Sequence, residues 1–209
     1  MGMKFSNKLS LTILVTGLIV LIMSSFTLYN LGYNTIINSQ FMYTQSIADE
    51  ISDDINFLLY EKVKTAQTLA NTPIIKNALE TSNLSYSDLS AEKRKEFIKR
   101  LNERWTSTKD PADNFIRRFT DNKASTFLKN QQAILKGEYG EIFLTNKFGA
   151  LVASTAKLST LAHRHKYWWL GSYNNGEGAI FFDDRGYDDS VGGYVLGLVV
   201  PIRKGTEII

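Results

Sequence analysis

The sequence predicts an α+β protein that is anchored in a membrane by its first helix. Three observations support this prediction: an uncharged apolar run at 9–31, an apolar stripe of helical period within 33–70, and short β-rich runs after Gly137. The chain has 209 residues, 44% of them apolar, which is enough for one domain with a buried core. The expected order is helices first, followed by an antiparallel sheet of about five strands flanked by helices.

Residues 9–31 are predicted to form a transmembrane helix. The run contains no charged residue, and at ~1.5 Å per residue it extends about 34 Å, enough to cross roughly 30 Å of hydrocarbon. A cleaved signal peptide is the alternative, but its apolar core spans only about 7–15 residues before a small-residue cleavage site. Here bulky Phe26, Leu28 and Tyr29 stand where that site would fall. An uncleaved anchor is therefore favoured.

The charges around this helix predict its orientation. Lys4 and Lys8 precede it, and the next charged residue is the acid Asp49. Because basic residues favour the cytoplasmic side, residues 1–8 are expected to be a cytoplasmic tail and residues 32–209 an extracytoplasmic domain. The expected location is thus the cell membrane, with a single pass in this chain.

A second long helix is predicted over 33–70. Its apolar residues recur every three or four positions and form one stripe: Ile47, Ile51, Ile55, Leu59, Val63, Ala66 and Ala70. The helix could continue directly out of the membrane. The stripe is expected to pack on its own domain or to mediate a homodimer, and the residues leave both open. Pro73 ends the helix, because proline disfavours the helical conformation in the residue before it.

The segment between Pro73 and Gly137 is predicted to be helical in short pieces, with 81–87 as a polar loop. Ser90 is an N-cap candidate, and Glu92 in the first turn suits the helix dipole. The basic cluster Lys93-Arg94-Lys95 is interpreted as a solvated helix face. The predicted pieces are Ile74–Leu79, a helix from Ser90 to the break at Asp110-Pro111, Phe115–Phe119 and Ala124–Leu135.

Five short strands are predicted after Gly137. The first two form a hairpin whose loop ends in Gly149, where a hairpin favours a positive φ. Residues 158–172 are expected to be a helix or an irregular crossover. The predicted strands are Glu141–Thr145, Ala150–Ser154, Ala179–Phe182, Tyr194–Pro201 and a last one that starts at Glu207.

Four motifs in 137–209 carry a resemblance to a known family. They are the hairpin EIFLTNKFGALVAS, the aromatic run YWW in the crossover, the segment GAIFFDDRGYDDSVGGY and the strand YVLGLVVPI. Together with the upstream helices, they resemble the extracytoplasmic PAS-like sensor domains called Cache. This resemblance implies a domain between two membrane helices of a bacterial or archaeal receptor. It also implies that the strand at Ile209 is truncated, with a second anchor and an output module beyond it.

The candidate ligand site lies between Tyr167 and Tyr194, where aromatic and acidic residues are concentrated. Ring faces attract an alkylammonium and a carboxylate neutralises it, so an amine or amino acid is the expected ligand. The resemblance implies that the ligand lies between sheet and crossover. Phe181 and either Trp168 or Trp169 are expected to be core residues instead. The predicted site residues are Tyr167, Trp168, Trp169, Tyr173, Phe182, Asp183, Tyr187 and Asp188; Asp184 and Asp189 are expected to be exposed loop residues.

Several functions are not supported by the sequence. Without Lys4 and Lys8, the 24 basic residues become 22 against 21 acidic ones, so nucleic acid is not an expected partner. No cysteine is present, which excludes thiolate chemistry and disulfides. His163 and His165 are interpreted as surface residues, and the acids near Asp183 lack the order of an EF-hand, which leaves calcium a minor alternative. No catalytic residue, metal or cofactor is predicted.

The predicted function is the ligand-sensing input domain of a transmembrane receptor. A sensor histidine kinase is the expected full-length protein, and a chemotaxis transducer or a cyclase-linked receptor is the alternative. An anchored structural or pilin-like protein is an alternative of another class. Pilin helices carry a glutamate near their start, whereas no acid precedes Asp49 here. An anchored enzyme is the third hypothesis, for which no catalytic motif is found.

Overall fold

The computed structural model describes residues 4–135, 137–188 and 192–209, without the side chain of Asp188. Its contacts divide the chain into two compact units, one up to Leu59 and the other from Tyr60 to Ile209. The helices are α1 (Phe5–Ala70), α2 (Pro73–Ser87), α3 (Ala91–Ser107), α4 (Asn114–Thr120), α5 (Lys123–Ile134) and α6 (Tyr167–Tyr173). The strands are β1 (Phe143–Thr145), β2 (Leu151–Ser154), β3 (Phe181–Asp188), β4 (Gly193–Val199), β5 (Arg203–Lys204) and β6 (Glu207–Ile208).

Helix α1 joins the two predicted long helices into one helix of 66 residues. Its most apolar window is long and apolar enough to cross a membrane, and none of that window is buried within the chain. The predicted end of the helix before Pro73 is confirmed, since α1 stops at Ala70. In the described part of the chain, α1 is the one helix that meets the length and composition of a membrane span.

Helix α2 is longer than the sequence predicts. Residues 81–87 were expected to be a loop, and this was wrong, because α2 continues to Ser87. Serine, threonine and asparagine have modest helix propensity, but tertiary packing overrides it here. Asn83 and Tyr86 are both buried at 7% exposure, and the Tyr86 ring centre lies 5.6 Å from that of Phe97 on α3.

The remaining helices follow the predicted pieces closely. The N-cap at Ser90 is confirmed, because its hydroxyl accepts a hydrogen bond from the Lys93 amide. Asp113 and Asn122 cap α4 and α5 in the same way. These side chains satisfy amides that would otherwise lack partners at the first turn of each helix.

The strands pair as three two-stranded antiparallel sheets in the described residues: β1 with β2, β3 with β4, and β5 with β6. This is the predicted α+β class with antiparallel pairing, without the predicted single sheet of about five strands. Strand β3 extends beyond the predicted strand end at Phe182. Asp184, expected to be an exposed loop residue, is exposed but lies within β3. An irregularity between Asp183 and Gly186, with Gly186 at a φ of 98°, lets this polar stretch continue the pairing with β4.

Two clusters form the core of the second unit, and strand β2 contributes to both. Leu151 packs in the cluster around Trp105, Phe115 and Ile116. Ala153 packs in the cluster around Ile75, Leu79, Ala124 and Leu128. Alternate side chains of a strand point to the same face of the sheet. Leu151 and Ala153 therefore lie on one apolar face of β2, and each contributes to a different cluster.

Candidate functional site

Helix α3 holds the irregular crossover that leads to α6. The Asn102 side-chain oxygen accepts hydrogen bonds from the Thr160 hydroxyl at 2.6 Å and from the Leu161 and Ala162 amides at 2.9 and 3.0 Å. The Trp105 indole donates to the Leu158 carbonyl at 2.8 Å. These bonds set where the crossover runs and so where α6 begins. Nothing local in the sequence marks Asn102 for this role.

Helix α6 presents its two tryptophans to different neighbours, as expected from the ~100° between adjacent helical residues. Trp169 is buried at 6% exposure and stacks on Tyr173, with ring centres 4.6 Å apart. Trp168 is half-buried and meets the Phe143 ring on β1 edge-on at 5.7 Å. Trp169 is therefore the core tryptophan, whereas Phe181, also predicted as core, is only half-buried.

His163 lies beside Trp168 and is buried, so its interpretation as a surface residue was wrong; His165 is exposed. The His163 side chain is only 4% exposed. Its ring stacks on that of Phe143, with ring centres 5.3 Å apart. Burial lowers the pKa of His163 to about 4, and the charges of Lys166 and His165 act in the same direction. The smallest effect comes from the Thr160 backbone, which raises the pKa of His163. Neither ring nitrogen has a partner with hydrogen-bond geometry in the described part of the chain.

Tyr167 connects α6 to β3. Its ring meets Phe181 edge-on at 5.6 Å, and the Arg185 guanidinium lies 3.5 Å from the ring centre. Arg185 also donates two hydrogen bonds of 3.0 Å to the Asp183 carboxylate. The Tyr167 hydroxyl is buried and has no hydrogen-bond partner among the described residues. Of the predicted site residues, Tyr167 and Asp183 are thus brought together through Arg185.

The other predicted residues on the β3–β4 hairpin are more exposed. Phe182 is 37% exposed and Tyr187 is 59% exposed. Tyr187 meets the Tyr194 ring edge-on at 5.5 Å rather than a residue of α6. The side chain of Asp188 and the whole of Asp189 lie outside the described residues. The predicted site is therefore distributed over several contacts rather than gathered in one.

A cavity of about 280 Å³ lies near Tyr173, and of the predicted site residues whose side chains are described, Tyr173 alone lines it. Its other lining residues include Arg94, Lys147, Phe148, Arg164 and Glu207. The Lys147 ammonium contacts the Glu207 carboxylate at 2.8 Å, and this hydrogen bond holds the pKa of Glu207 below its usual value. Sequence reasoning missed this cavity, since its residues come from distant segments and Arg94 was interpreted as solvated.

Within the described residues, no three histidine or carboxylate side chains come together in a group that could hold a metal ion. The buried side-chain atoms without a hydrogen-bond partner in the described residues belong to Tyr139, His163 and Tyr167, and the basic cavity adds further polar groups. Comparison of the chain with protein-family models, with curated proteins and with solved structures gave no significant match.

Proposed function

We propose that this chain is the ligand-sensing input region of a membrane-anchored receptor, with a Cache-like sensor domain in residues 32–209. One observation carries the proposal. Among the described residues, His163 and Tyr167 hold three buried polar side-chain atoms without hydrogen-bond partners, and the His163 ring lies beside that of Trp168. Each such group costs about 1–3 kcal/mol when it is left unsatisfied. A polar ligand that bonds to these atoms would recover that free energy, which favours a small-molecule site at the crossover.

The expected ligand is an amine or amino acid. An amino acid supplies both a donor and an acceptor, which are what a neutral imidazole and a phenol hydroxyl need. Trp168 and Phe143 would cover its apolar side chain, as aromatic walls do in many small-ligand pockets. A PAS-like sheet of about five strands, as in the Cache family, is part of the same proposal.

The last turns of α1 provide a route for a signal. Ala70 is buried at 8% exposure in the second unit, and Lys62 forms an ion pair with Glu138. A ligand that prefers one arrangement of these contacts would shift the population of α1 positions, as a small piston motion or rotation. A homodimer through α1 supplies a second helix for the motion. A sensor histidine kinase is the proposed output, with a chemotaxis transducer or cyclase-linked receptor as the alternative.

Thermal unfolding of the full chain in detergent or nanodiscs, with a panel of amino acids and amines, tests the ligand site. We expect at least one compound to raise the unfolding temperature, because a ligand at 100 times its Kd adds about 2.7 kcal/mol. The substitution His163→Phe keeps the ring stack but removes both nitrogens. It should abolish the ligand-induced shift without lowering the unliganded stability.

The matched control is His165→Phe, at an exposed histidine two residues away. It should leave the ligand-induced shift unchanged. If no compound in the panel stabilises the chain, the sensor proposal is overturned and an anchored structural protein becomes the better explanation. If a compound stabilises the wild type and His163→Phe equally, the ligand site is not at the crossover.

A further inference from the structure

The basic cavity near Tyr173 has an excess of positive charge. Among the described residues that line it, Arg94, Lys147 and Arg164 stand against the single carboxylate of Glu207. Lys147 is already paired with Glu207 at 2.8 Å. Two guanidinium groups therefore remain at a cavity of about 280 Å³ without an opposing charge among its described lining residues. Clefts lined by one sign of charge concentrate ligands of the opposite sign.

The Arg94 guanidinium is held in place before any ligand arrives. Its Nε donates to the Tyr86 carbonyl at 2.8 Å, and one terminal nitrogen donates to the Leu89 carbonyl at 2.7 Å. The group also lies 4.0 Å from the centre of the Phe148 ring. A guanidinium has five N–H donors, so three remain for other partners. Because the Arg94 side chain is already ordered, it loses little further conformational entropy when an anion binds to it.

Arg164 approaches the hairpin closely because of Gly149. Gly149 has a φ of 76°, and a Cβ at this position would lie 2.5 Å from the Arg164 amide nitrogen. The turn itself is fixed by Asn146, whose side-chain oxygen accepts from the Phe148 and Ala150 amides at 3.0 Å each. In the described part of the chain, the Arg164 side chain has no ion pair. Arg164 therefore lines the cavity with a side chain whose charge is not already paired.

We propose that this cavity binds a small organic acid through its carboxylate. Guanidinium groups suit this task, because their planar donors match the two oxygens of a carboxylate. Phe148 and Tyr173 add aromatic wall to the cavity and would contact an apolar part of the ligand. Inorganic phosphate lacks such a part. The site is separate from His163 and Tyr167 and does not depend on the sensor function proposed above.

Isothermal titration of the full chain in detergent, at pH 7 and constant ionic strength, tests the proposal with succinate, benzoate and inorganic phosphate. At least one of the two carboxylates should bind at least tenfold more tightly than phosphate. Arg164→Gln should weaken its binding about tenfold or more, as expected for a lost charge-assisted hydrogen bond. Glu207→Gln should tighten it severalfold, because it removes the competing carboxylate and releases Lys147.

Arg118→Gln is the matched control, since Arg118 is exposed on α4 and does not line the cavity. It should leave the affinity unchanged. The proposal is overturned if neither carboxylate binds, or if phosphate binds as tightly as they do. It is also overturned if Arg118→Gln weakens binding as much as Arg164→Gln, because the attraction would then come from the overall charge. An affinity that is lower in Glu207→Gln would contradict the proposed charge balance.

Discussion

The Arg185 guanidinium lies 3.5 Å from the centre of the Tyr167 ring and donates two hydrogen bonds to Asp183. Strand β3 therefore supplies both a cation and its counter-ion at an aromatic ring of α6. A ring and a carboxylate were the groups predicted to hold an alkylammonium ligand. An amine that uses this ring face must displace Arg185, and an amine that does not must bind elsewhere.

Replacing Arg185 tests whether it occupies an amine site. Arg185→Ser should raise the affinity for tetramethylammonium about two- to fivefold, because an exposed cation–π contact contributes about 0.5–1 kcal/mol. Isothermal titration of the full chain measures this, with Arg118→Ser as the control. An affinity that stays equal in both variants would show that Tyr167 and Asp183 do not bind amines.

The stability of the second unit should fall as the pH drops below 6.5. His163 titrates near its ordinary pKa of about 6.5 when unfolded, but at about 4 when folded. The unfolded chain binds more protons between these values, so His163 alone should remove roughly 2 kcal/mol of stability between pH 7 and pH 5. Urea unfolding at both pH values measures the loss. His163→Phe should reduce it, whereas His165→Phe should retain it; equal losses in the two variants would disprove the assignment.

Trp105 should be among the most sensitive positions for folding. It is fully buried at 0% exposure, and its indole satisfies the Leu158 carbonyl at 2.8 Å. Trp105→Phe removes that bond and leaves a cavity, so the free energy of unfolding should drop by about 2–4 kcal/mol. Trp168→Phe, at a half-buried tryptophan, should cost clearly less. Urea unfolding measures both, and a similar loss in the two variants would contradict the role of the Leu158 bond.

Gly149 and Gly137 both have a positive φ, so the stability costs of replacing each by alanine can be compared. Gly149 has a φ of 76°, and an added Cβ there would meet the Arg164 backbone. Gly137 has a φ of 84°, and an added Cβ there would have no described non-neighbouring atom within 4 Å. Gly137→Ala should cost only the ~1–2 kcal/mol of the left-handed conformation. Gly149→Ala should cost more, since the added Cβ also displaces Arg164. Unfolding free energies test this, and equal costs would mean that the contact relaxes freely. The proposed anion affinity should fall in Gly149→Ala alone.

The absence of cysteine makes the proposed topology easy to test. Asn7→Cys and Ser87→Cys each create a single thiol, on either side of the apolar run. A membrane-impermeant maleimide added to intact spheroplasts should label the thiol at position 87 and leave the one at position 7 unlabelled until the membrane is permeabilised. The reverse pattern would place Tyr60–Ile209 in the cytoplasm and exclude an extracytoplasmic sensor.

Local signals in the sequence were sufficient for much of the secondary structure. The apolar run at 9–31, the proline after α1, the cap at Ser90 and the hairpin glycine at position 149 each act within a few residues. Periodicity, capping and turn chemistry depend on neighbouring residues along the chain. A single sequence is therefore enough to locate these helices and turns. The loop predicted at 81–87 failed because Asn83 and Tyr86 respond to packing that is not local.

The sequence by itself determined an apolar N-terminal helix, an α+β order of elements and the aromatic crossover. Only the tertiary structure decided that His163 is buried, that Arg185 covers Tyr167, and that Arg94 and Arg164 share a cavity. The reason is sequence separation. The Trp105 indole reaches a carbonyl 53 residues away, and Lys147 pairs with Glu207 across 60 residues. Such contacts depend on how helices and strands pack, and no pattern of neighbouring residues specifies them.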